Sequence, residues 1–307
     1  MRHIDFIGKS KIWYTLSACV IICGIISMFI QGLNFGIDFT GGTLLDLKAE
    51  KPIIVEKVRK DILLPLGLKD NKIQMVANSN KEVIIRVAAI DEKKRTTLLN
   101  DFGQEFGQYQ VMRIEKVSAV IGKELIWQAV LALVVASVLM CLYLAFRFEY
   151  RFGVSAIVGI AHDVAVVLTF ASILRLQVDE SFVAIILTVA GYSINDTIVI
   201  FDRIRENLGL MQRGETYAEV TNRSLNQSLT RCINTTGTVL AALLAVWIFG
   251  GSTIKDFIIG LFVGIATGAY SSIFMCCPIW VMWKQRDSNI MHAGGGGRKG
   301  KKKLVKA

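Results

Sequence analysis

The sequence lacks most features of a soluble enzyme. Charged residues make up only 20% of its 307 residues, and histidine and proline each occur three times. It contains no G-x-x-x-x-G-K-[ST], H-E-x-x-H or G-x-S-x-G motif, which argues against ATP hydrolysis, an intramembrane metalloprotease and a serine hydrolase. The histidines are scattered and form no metal-binding pattern. We therefore expect no enzymatic activity, no metal and no cofactor.

Long apolar runs are what the sequence has in excess. Hydrophobic residues make up 53% of the chain, and its mean hydropathy is +0.49. About 20 apolar residues in a helix cross the hydrocarbon core of a bilayer. The first run is too long for a cleaved signal peptide and no A-x-A-like site follows it. We predict an α-helical polytopic membrane protein with six transmembrane helices, at residues 12–30, 125–146, 152–174, 181–201, 232–254 and 257–283.

Positive charge is concentrated beside these runs. The net charge is +10, and six of the last ten residues are lysine or arginine. This distribution indicates the positive-inside pattern of a membrane protein and argues against nucleic-acid binding. We predict cytoplasmic termini at 1–11 and 284–307, a cytoplasmic loop at 202–231 and one exported domain at 31–124. The basic tail favours contact with anionic lipids over a ribosomal or cytosolic partner.

The exported segment has the pattern of a small α+β domain. Its elements follow the order β-α-β-β-α-β, which is typical of a ferredoxin-like fold, and Pro52 is expected in the first turn of its first helix. Such a fold names no function. The segment contains no cysteine, so it has no disulfide. The predicted strands are 43–49, 72–78, 82–88 and 110–117, and the helices are 52–64 and 92–106.

All six cysteines lie in or at the ends of the predicted spans. Cys19 and Cys23 stand one helical turn apart, which imitates a metal-binding pair. Two cysteines without further ligands at zinc spacing are weak grounds for a metal site, because free cysteine behaves as a small buried hydrophobe. We favour the structural interpretation.

Two carboxylates interrupt the apolar runs. A carboxylate inside a membrane needs a partner, a proton or a water-filled cavity. Asp163 lies next to His162 near the middle of its span, and Asp196 lies near the cytoplasmic end of the following span. We expect the two carboxylates to face each other across the interior of the helix bundle.

Polar residues accompany Asp196 on two predicted helices. Tyr192, Asp196 and Arg203 recur at helical spacing and predict one polar stripe. Arg231, at the start of the fifth span, is the natural ion-pair partner of Asp196. Further polar groups are Ser193, Asn195 and Thr197 on the fourth span and Asn234, Thr235, Thr236 and Thr238 on the fifth.

The polar cluster has two interpretations. In the first, Asp196, Arg231, Asp163, His162 and Asn195 form a proton relay, driven by a proton gradient because no nucleotide site is present. In the second, the cluster only locks the helices together. The relay is favoured for Asp196, whereas both interpretations stay open for Asp163 and His162.

The sixth span carries glycine at every fourth position, at Gly260, Gly264 and Gly268. Such a row allows close approach of a neighbouring helix. Plain helix packing is favoured over a gating role. The glycine-lined face also predicts a companion half that completes the bundle.

Three stretches resemble the SecD/SecF family of protein-export subunits, within the resistance-nodulation-division superfamily. They are N-F-G-I-D-F-T-G-G-T at 34–43, A-H-D at 161–163 and G-Y-S-I-N-D-T-I-V-I-F-D-R-I-R-E-N at 191–207. The resemblance covers essentially the whole chain, and the last motif is specific by itself.

The resemblance implies a location, partners and a task. It implies a subunit of the bacterial inner membrane that pairs with SecD beside the SecYEG channel, with YajC and YidC as further partners. With SecD, it would use the proton-motive force to assist the export of unfolded preproteins. Asp196 resembles the family's membrane carboxylate, and Arg231 resembles its arginine partner by position. Asp38, Gly41 and Gly42 match the family motif at the mouth of the exported domain.

Two other functions remain open from the residues alone. One is a proton-driven half-exporter of small or lipidic molecules that acts without the Sec channel. The other is a passive assembly subunit whose polar cluster is only structural. Co-purification with SecD and SecYEG would argue against the first, and loss of function in an Asp196→Asn variant with the complex intact would argue against the second.

Overall fold

The computed structural model describes residues 4–69, 71–76, 79–251 and 254–295. Within this part of the chain, six helices are long and apolar enough to cross a membrane. They are α1 (Ser10–Gln31), α5 (Ala119–Arg147), α6 (Tyr150–Ile173), α7 (Glu180–Gly209), α8 (Tyr217–Phe249) and α9 (Lys255–Ser271), which continues through a π-helical turn (Ser272–Cys276) into α10 (Cys277–Gly295).

The ends of the later helices differ from the predicted ones. The segment 202–231, predicted as a loop, is mostly helical, because α7 runs to Gly209 and α8 begins at Tyr217. A capping box of Thr216 and Glu219 starts α8 well before its apolar stretch. Its end at Phe249 precedes the predicted end at 254. Helix α10 extends into the predicted tail, and the six tail cations lie outside the described residues.

The membrane helices divide into inner and outer ones. Helices α6, α7 and α9 contact one another and bury about half of their apolar stretches. Helices α1, α5 and α8 lie at the periphery and bury few of their side chains inside the chain. Functional groups on the inner helices are therefore shielded by protein, whereas those on α8 are covered on one side only.

Residues 31–124 contain a four-stranded antiparallel sheet in the order β3 (Asn71–Met75), β4 (Glu82–Val87), β2 (Gly42–Ala49) and β5 (Tyr109–Val117). Alternate residues of β2, such as Leu45 and Leu47, enter a core that also contains Phe102. The opposite face of the sheet is polar and lies toward the membrane helices. Helix α4 (Glu92–Phe106) joins β4 to β5.

The first helix of this domain differs from its prediction. It begins as α3 (Val55–Lys57) and continues as a π-helical turn (Val58–Leu63), so Pro52 lies before the helix and not in its first turn. Strand β3 starts one residue early and ends at Met75, and residues 77–78 of the predicted strand lie outside the described residues. The helix predicted at 92–106 agrees with α4 at both ends, because Asp91 caps it by accepting from the backbone N–H of Lys94.

Two short elements and one arginine connect the sheet to the membrane helices. Strand β1 (Asn34–Phe35), just after α1, pairs in parallel with β6 (Gln177–Val178), which precedes α7. Arg86 on β4 is buried and donates to Gln177 Oε1 at 2.6 Å and to Gln74 Oε1 at 3.2 Å. The sheet is thus tied to the connection between α6 and α7.

The amino-terminal segment, residues 4–9, is attached to α8. The side-chain oxygen of Asn222 accepts from the backbone N–H groups of Phe6 at 2.9 Å and Ile7 at 3.1 Å. One turn later, Asn226 accepts from the N–H of Ile4 at 3.1 Å and donates to its carbonyl at 3.0 Å. Phe6 is buried in the largest apolar cluster of the bundle. The segment is thus held by paired hydrogen bonds and one buried ring.

Candidate functional site

Asp163 lies where the three inner helices meet. Its side chain is 0% exposed, and its Oδ2 atom accepts from Ser193 Oγ at 2.6 Å and Ser271 Oγ at 2.8 Å. Ser193 belongs to α7 and Ser271 to α9, so one carboxylate on α6 joins three helices. Two hydroxyl donors on a single oxygen stabilise a buried carboxylate that would otherwise be costly.

His162 completes this cluster. Its Nδ1 atom lies 3.1 Å from Asp163 Oδ1, and its ring stacks near Tyr270 with 6.0 Å between the ring centroids. The opposite ring nitrogen, Nε2, is buried and has no hydrogen-bond partner among the described residues. The structure therefore places the two predicted residues together, with the histidine bonded to the aspartate.

Asp196 lies on a different side of α7 from Ser193, and it has fewer hydrogen-bonding partners than Asp163. Its side chain is 8% exposed, and its Oδ2 atom accepts from Thr236 Oγ1 of α8 at 3.2 Å. Thr236 is its only hydrogen-bond donor within the described part of the chain. Asp196 is therefore a buried carboxylate with one neutral partner on a peripheral helix.

Arg231 does not form the predicted ion pair in this structure. It is exposed on α8, and no ion pair within 4.0 Å joins it to Asp196 among the described residues. Asn195 is exposed on α7 beside the buried Asp196, so these neighbours face different surroundings.

The predicted stripe of polar residues on α7 is not continuous. Tyr192 is 38% exposed, whereas Asp196 is buried. Arg203 lies beyond the apolar stretch, where it donates to Gln227 Oε1 at 2.7 Å and pairs with Glu206 at 2.7 Å. Helical spacing alone placed these residues on one side, but the contacts assign them to different partners.

A polar seam connects the neighbourhoods of the two aspartates. Thr197 Oγ1 lies 2.8 Å from Ser272 Oγ, and Ser272 Oγ also donates to the backbone oxygen of Ser193 at 3.2 Å. Ser272 is the first residue of the π-helical turn that links α9 to α10. Single π-helical turns occur often at functional sites. The seam thus runs from Ser193, which bonds Asp163, to Thr197, which follows Asp196.

The glycines of α9 allow this close packing. A Cβ atom at Gly260 would lie 2.7 Å from Ile185, and one at Gly268 would lie 3.1 Å from Ser193 Cβ. A Cβ atom at Gly264 would overlap the side chain of Val189. All three positions face α7. The glycine row therefore sets the distance between α9 and α7 at the level of Asp163.

The motif that contains Asp38, Gly41 and Gly42 forms a compact junction beside the sheet domain. The short helix α2 (Ile37–Thr40) carries Asp38, whose Oδ2 atom accepts from the backbone N–H of Glu180 at 3.4 Å. Gly41 and Gly42 have φ angles of 70° and 137°, which disfavour other residues. A Cβ atom at Gly42 would also lie 2.5 Å from the carbonyl oxygen of Val87.

Sequence reasoning missed Ser271. The residue is fully buried and donates to Asp163, yet a serine among small residues at helical spacing resembles ordinary helix packing. Its position three residues after Gly268 was the available signal. Among the described residues, no group of three or more His, Cys, Asp or Glu side chains is arranged to hold a metal ion.

Two family descriptions match this chain. The family description "Protein export membrane protein SecD/SecF, C-terminal" matches residues 97–286, and "SecD/SecF GG Motif" matches residues 26–53. The protein translocase subunit SecF of Acidaminococcus fermentans is 40% identical over 93% of this chain and 99% of that relative. The protein translocase subunit SecDF of Bacillus subtilis is 36% identical over 92% of this chain but only 38% of its own length.

Solved structures show the same fold. The crystal structure of SecDF from Thermus thermophilus matches with a TM-score of 0.85 and 38% identity, over 92% of this chain and 39% of that chain. SecDF in its Super-membrane-facing form matches with a TM-score of 0.71 and 37% identity, over 96% of this chain and 40% of that chain. The chain is a multi-pass membrane protein, and it belongs to the SecD/SecF family of protein export membrane proteins.

Proposed function

We propose that the protein is an accessory subunit of the Sec export machinery that, together with SecD, uses the proton-motive force to assist preprotein translocation across the bacterial inner membrane. It acts as a transport subunit and not as an enzyme. The names of its relatives, protein translocase subunits SecF and SecDF, support the export role. The proton-driven step rests on the buried carboxylates of the membrane helices.

The observation that carries this proposal is the sparse hydrogen bonding of Asp196, which receives one hydrogen bond, whereas Asp163 receives two from serine hydroxyls. A carboxylate that is buried inside a membrane with a single threonine donor is stabilised when it binds a proton, because the neutral form is cheaper to bury. Arg231, on the adjoining helix, supplies the opposite bias when it approaches. Alternation between these two environments lets Asp196 take up a proton and release it. Asn195 lies beside this path, on the exposed side of α7.

The seam described above supplies the mechanical link. Proton binding at Asp196 alters its contact with α8, and Thr197 and Ser272 pass the displacement to the junction of α7 and α9. Asp163 and His162 respond through Ser193 and Ser271, either as a second proton carrier or as the pivot of the three helices. Both roles need the buried hydrogen bonds of this cluster.

The exported domain is the moving part in this proposal. We place both termini in the cytoplasm and the sheet domain, of ferredoxin-like type, in the periplasm, because the basic residues flank the opposite ends of the helices. Asp38 joins this domain to α7, and Gly42 lets the motif approach β4 within the domain. A displacement of α7 therefore tilts the domain against the emerging preprotein.

SecD is the expected direct partner. Relatives named SecDF are longer single chains, of which this chain matches about two fifths. The poorly covered helices α5 and α8 offer the surface for a companion half. SecYEG, YajC and YidC are expected in the wider assembly, with unfolded preprotein as the substrate. The basic tail is expected to contact anionic lipids.

The deciding experiment is preprotein export into sealed inner-membrane vesicles under an imposed proton gradient. We expect wild-type protein to accelerate export and the Asp196→Asn variant to lose that acceleration, at equal expression and equal co-purification with SecD. Asp61→Asn, at an exposed carboxylate of the exported domain, is the matched control and should behave as wild type. An Asp196→Asn variant that responds fully to the gradient would overturn the relay.

A further inference from the structure

A closed-in cavity of about 310 Å³ lies between the exported domain and the membrane helices. The face of the sheet opposite the domain core forms one wall, with Leu44, Asp46 and Ile84. The outer ends of α7 and α9 form the other, with Phe182 and Phe257. The cavity is thus bounded by two bodies that any tilt of the domain would separate.

Asp46 is the unusual residue of this cavity. It lies in the middle of β2, where its neighbours Leu45 and Leu47 enter the domain core and Asp46 itself turns to the opposite face. Its side chain is only 3% exposed, and its Oδ1 atom has no hydrogen-bond partner among the described residues. An unsatisfied buried carboxylate oxygen is costly when the group is charged.

The charged neighbours of Asp46 do not neutralise it. Arg113, opposite Asp46 on β5, donates to Glu115 at 2.5 Å, and Arg86 on β4 donates to Gln74 and Gln177. On the sheet, the groups facing this region are Lys48, Lys72, Glu82, Arg86, Arg113 and Glu115. Across the cavity they are Asp179, Lys255 and Asp256.

These surroundings favour the protonated form of Asp46. Burial and the nearby Glu82 raise the pKa of Asp46, Arg113 partly opposes this shift, and the net pKa is about 6. Burial likewise raises the pKa of Asp179 across the cavity. Opening of the cavity would hydrate Asp46 and return it toward the ordinary pKa of an aspartate.

We infer that Asp46 is a proton-binding site on the exported side, separate from the membrane carboxylates, and that its protonation closes the sheet onto the outer ends of α7 and α9. The inference goes beyond the proposed function, since it holds whether or not Asp196 carries protons. The ligand is a proton from the exported side, the side that a proton gradient makes acidic. The closed cavity is the high-affinity state for that proton.

The direction of the effect follows from linkage. The closed form has the raised pKa and therefore binds the proton more tightly, so acid favours closure and rising pH favours opening. With a pKa of about 6 when closed and 3.8 when open, the ratio of closed to open molecules rises about tenfold from pH 7.5 to pH 5. The ratio begins to rise as the pH falls through about 6 and stops rising below the ordinary aspartate pKa of 3.8.

Hydrogen exchange of the full chain in lipid nanodiscs tests this inference. The backbone N–H of Gln177 is bonded to Asp256 at the cavity wall, so peptides that cover residues 174–182 report opening. After correction for the intrinsic pH dependence of exchange, we expect about tenfold slower exchange there at pH 5 than at pH 7.5. Wild-type protein without such a difference would overturn the inference, whatever the variants do.

Two variants assign the effect. Asp46→Asn mimics the protonated side chain, so its exchange should be slow at both pH values. Asp61→Asn removes an exposed carboxylate of the same domain and should keep the wild-type pH dependence. An unchanged pH dependence in Asp46→Asn would contradict the assignment. Asp196→Asn should also keep it, which separates this inference from the membrane relay.

Discussion

The polar groups of helix α7 have different surroundings on its two sides. Toward α6 and α9 it presents Ser193, which helps to hold Asp163 within a sealed cluster of three hydrogen-bonding partners. Toward α8 it presents Asp196, which receives one hydrogen bond from a helix that is otherwise poorly covered. The two carboxylates of one membrane bundle thus differ in how many hydrogen-bonding partners surround them.

This difference in hydrogen bonding predicts that Asp163 is required for stability and Asp196 for activity. A carboxylate with several donors is fixed by its surroundings, and removing it leaves those donors unsatisfied. A carboxylate with one weakly placed partner depends on water, a proton or another chain. We therefore expect mutations on the α9 side of α7 to affect stability, and mutations on the α8 side to affect activity.

The largest expected effect on stability comes from Asp163→Ala. Removing the buried carboxylate leaves Ser193, Ser271 and His162 without their shared partner, which should lower the free energy of unfolding by about 3–5 kcal/mol. Asp196→Ala, with one hydrogen bond lost, should cost only about 1 kcal/mol. Unfolding titrations in mixed micelles measure both. Equal losses for the two variants would remove the contrast between the sites.

A smaller effect is expected from glycine substitutions on the two neighbouring helices. In Gly264→Ala the new methyl group overlaps Val189, which should destabilise the protein by about 1–3 kcal/mol. Gly237→Ala on α8 is the matched control, because nothing lies within 4 Å of its new methyl group. The control should be neutral, or more stable by up to about 1 kcal/mol through helix propensity. The same unfolding titration tests whether only the α9 face is tightly packed.

The smallest expected effect comes from Ser271→Ala. This variant removes one of the two hydroxyl donors to Asp163 Oδ2 and should lower the free energy of unfolding by about 1 kcal/mol. Combined with Ser193→Ala, the loss should exceed the sum of the single losses, because each serine partly compensates for the other. A double-mutant cycle measures this coupling. Strict additivity would mean that the two serines act independently of Asp163.

Much of the architecture was predictable from the sequence, and the reason is physical. Lipid demands about 20 apolar residues for each crossing, so the spans stand out as runs. Where each helix ends was less predictable. Hydropathy reports the stretch that lipid covers, whereas the capping box at Thr216 starts α8 well before that stretch. The helical stretches that project beyond the lipid are invisible to a search for apolar runs.

The candidate site was predictable in its charges but not in its contacts. Asp163 and Asp196 stand out in an apolar context, and His162 lies beside Asp163 as the sequence suggests. Ser271 gave no comparable signal, because its role depends on which helix faces it. The pairing of Arg231 with Asp196 stays a prediction, since it depends on how α8 packs against α7, which the sequence does not specify.

The attachment of residues 4–9 to α8 has a practical consequence for experiments. Asn222 and Asn226 bond the backbone of this segment, so any change of its side chains leaves those hydrogen bonds available. A purification tag or fluorescent protein fused before Ile4 would nevertheless be attached to the segment that anchors the start of α1 to α8. A probe placed there would report the motion of α8, and a bulky one would restrain it.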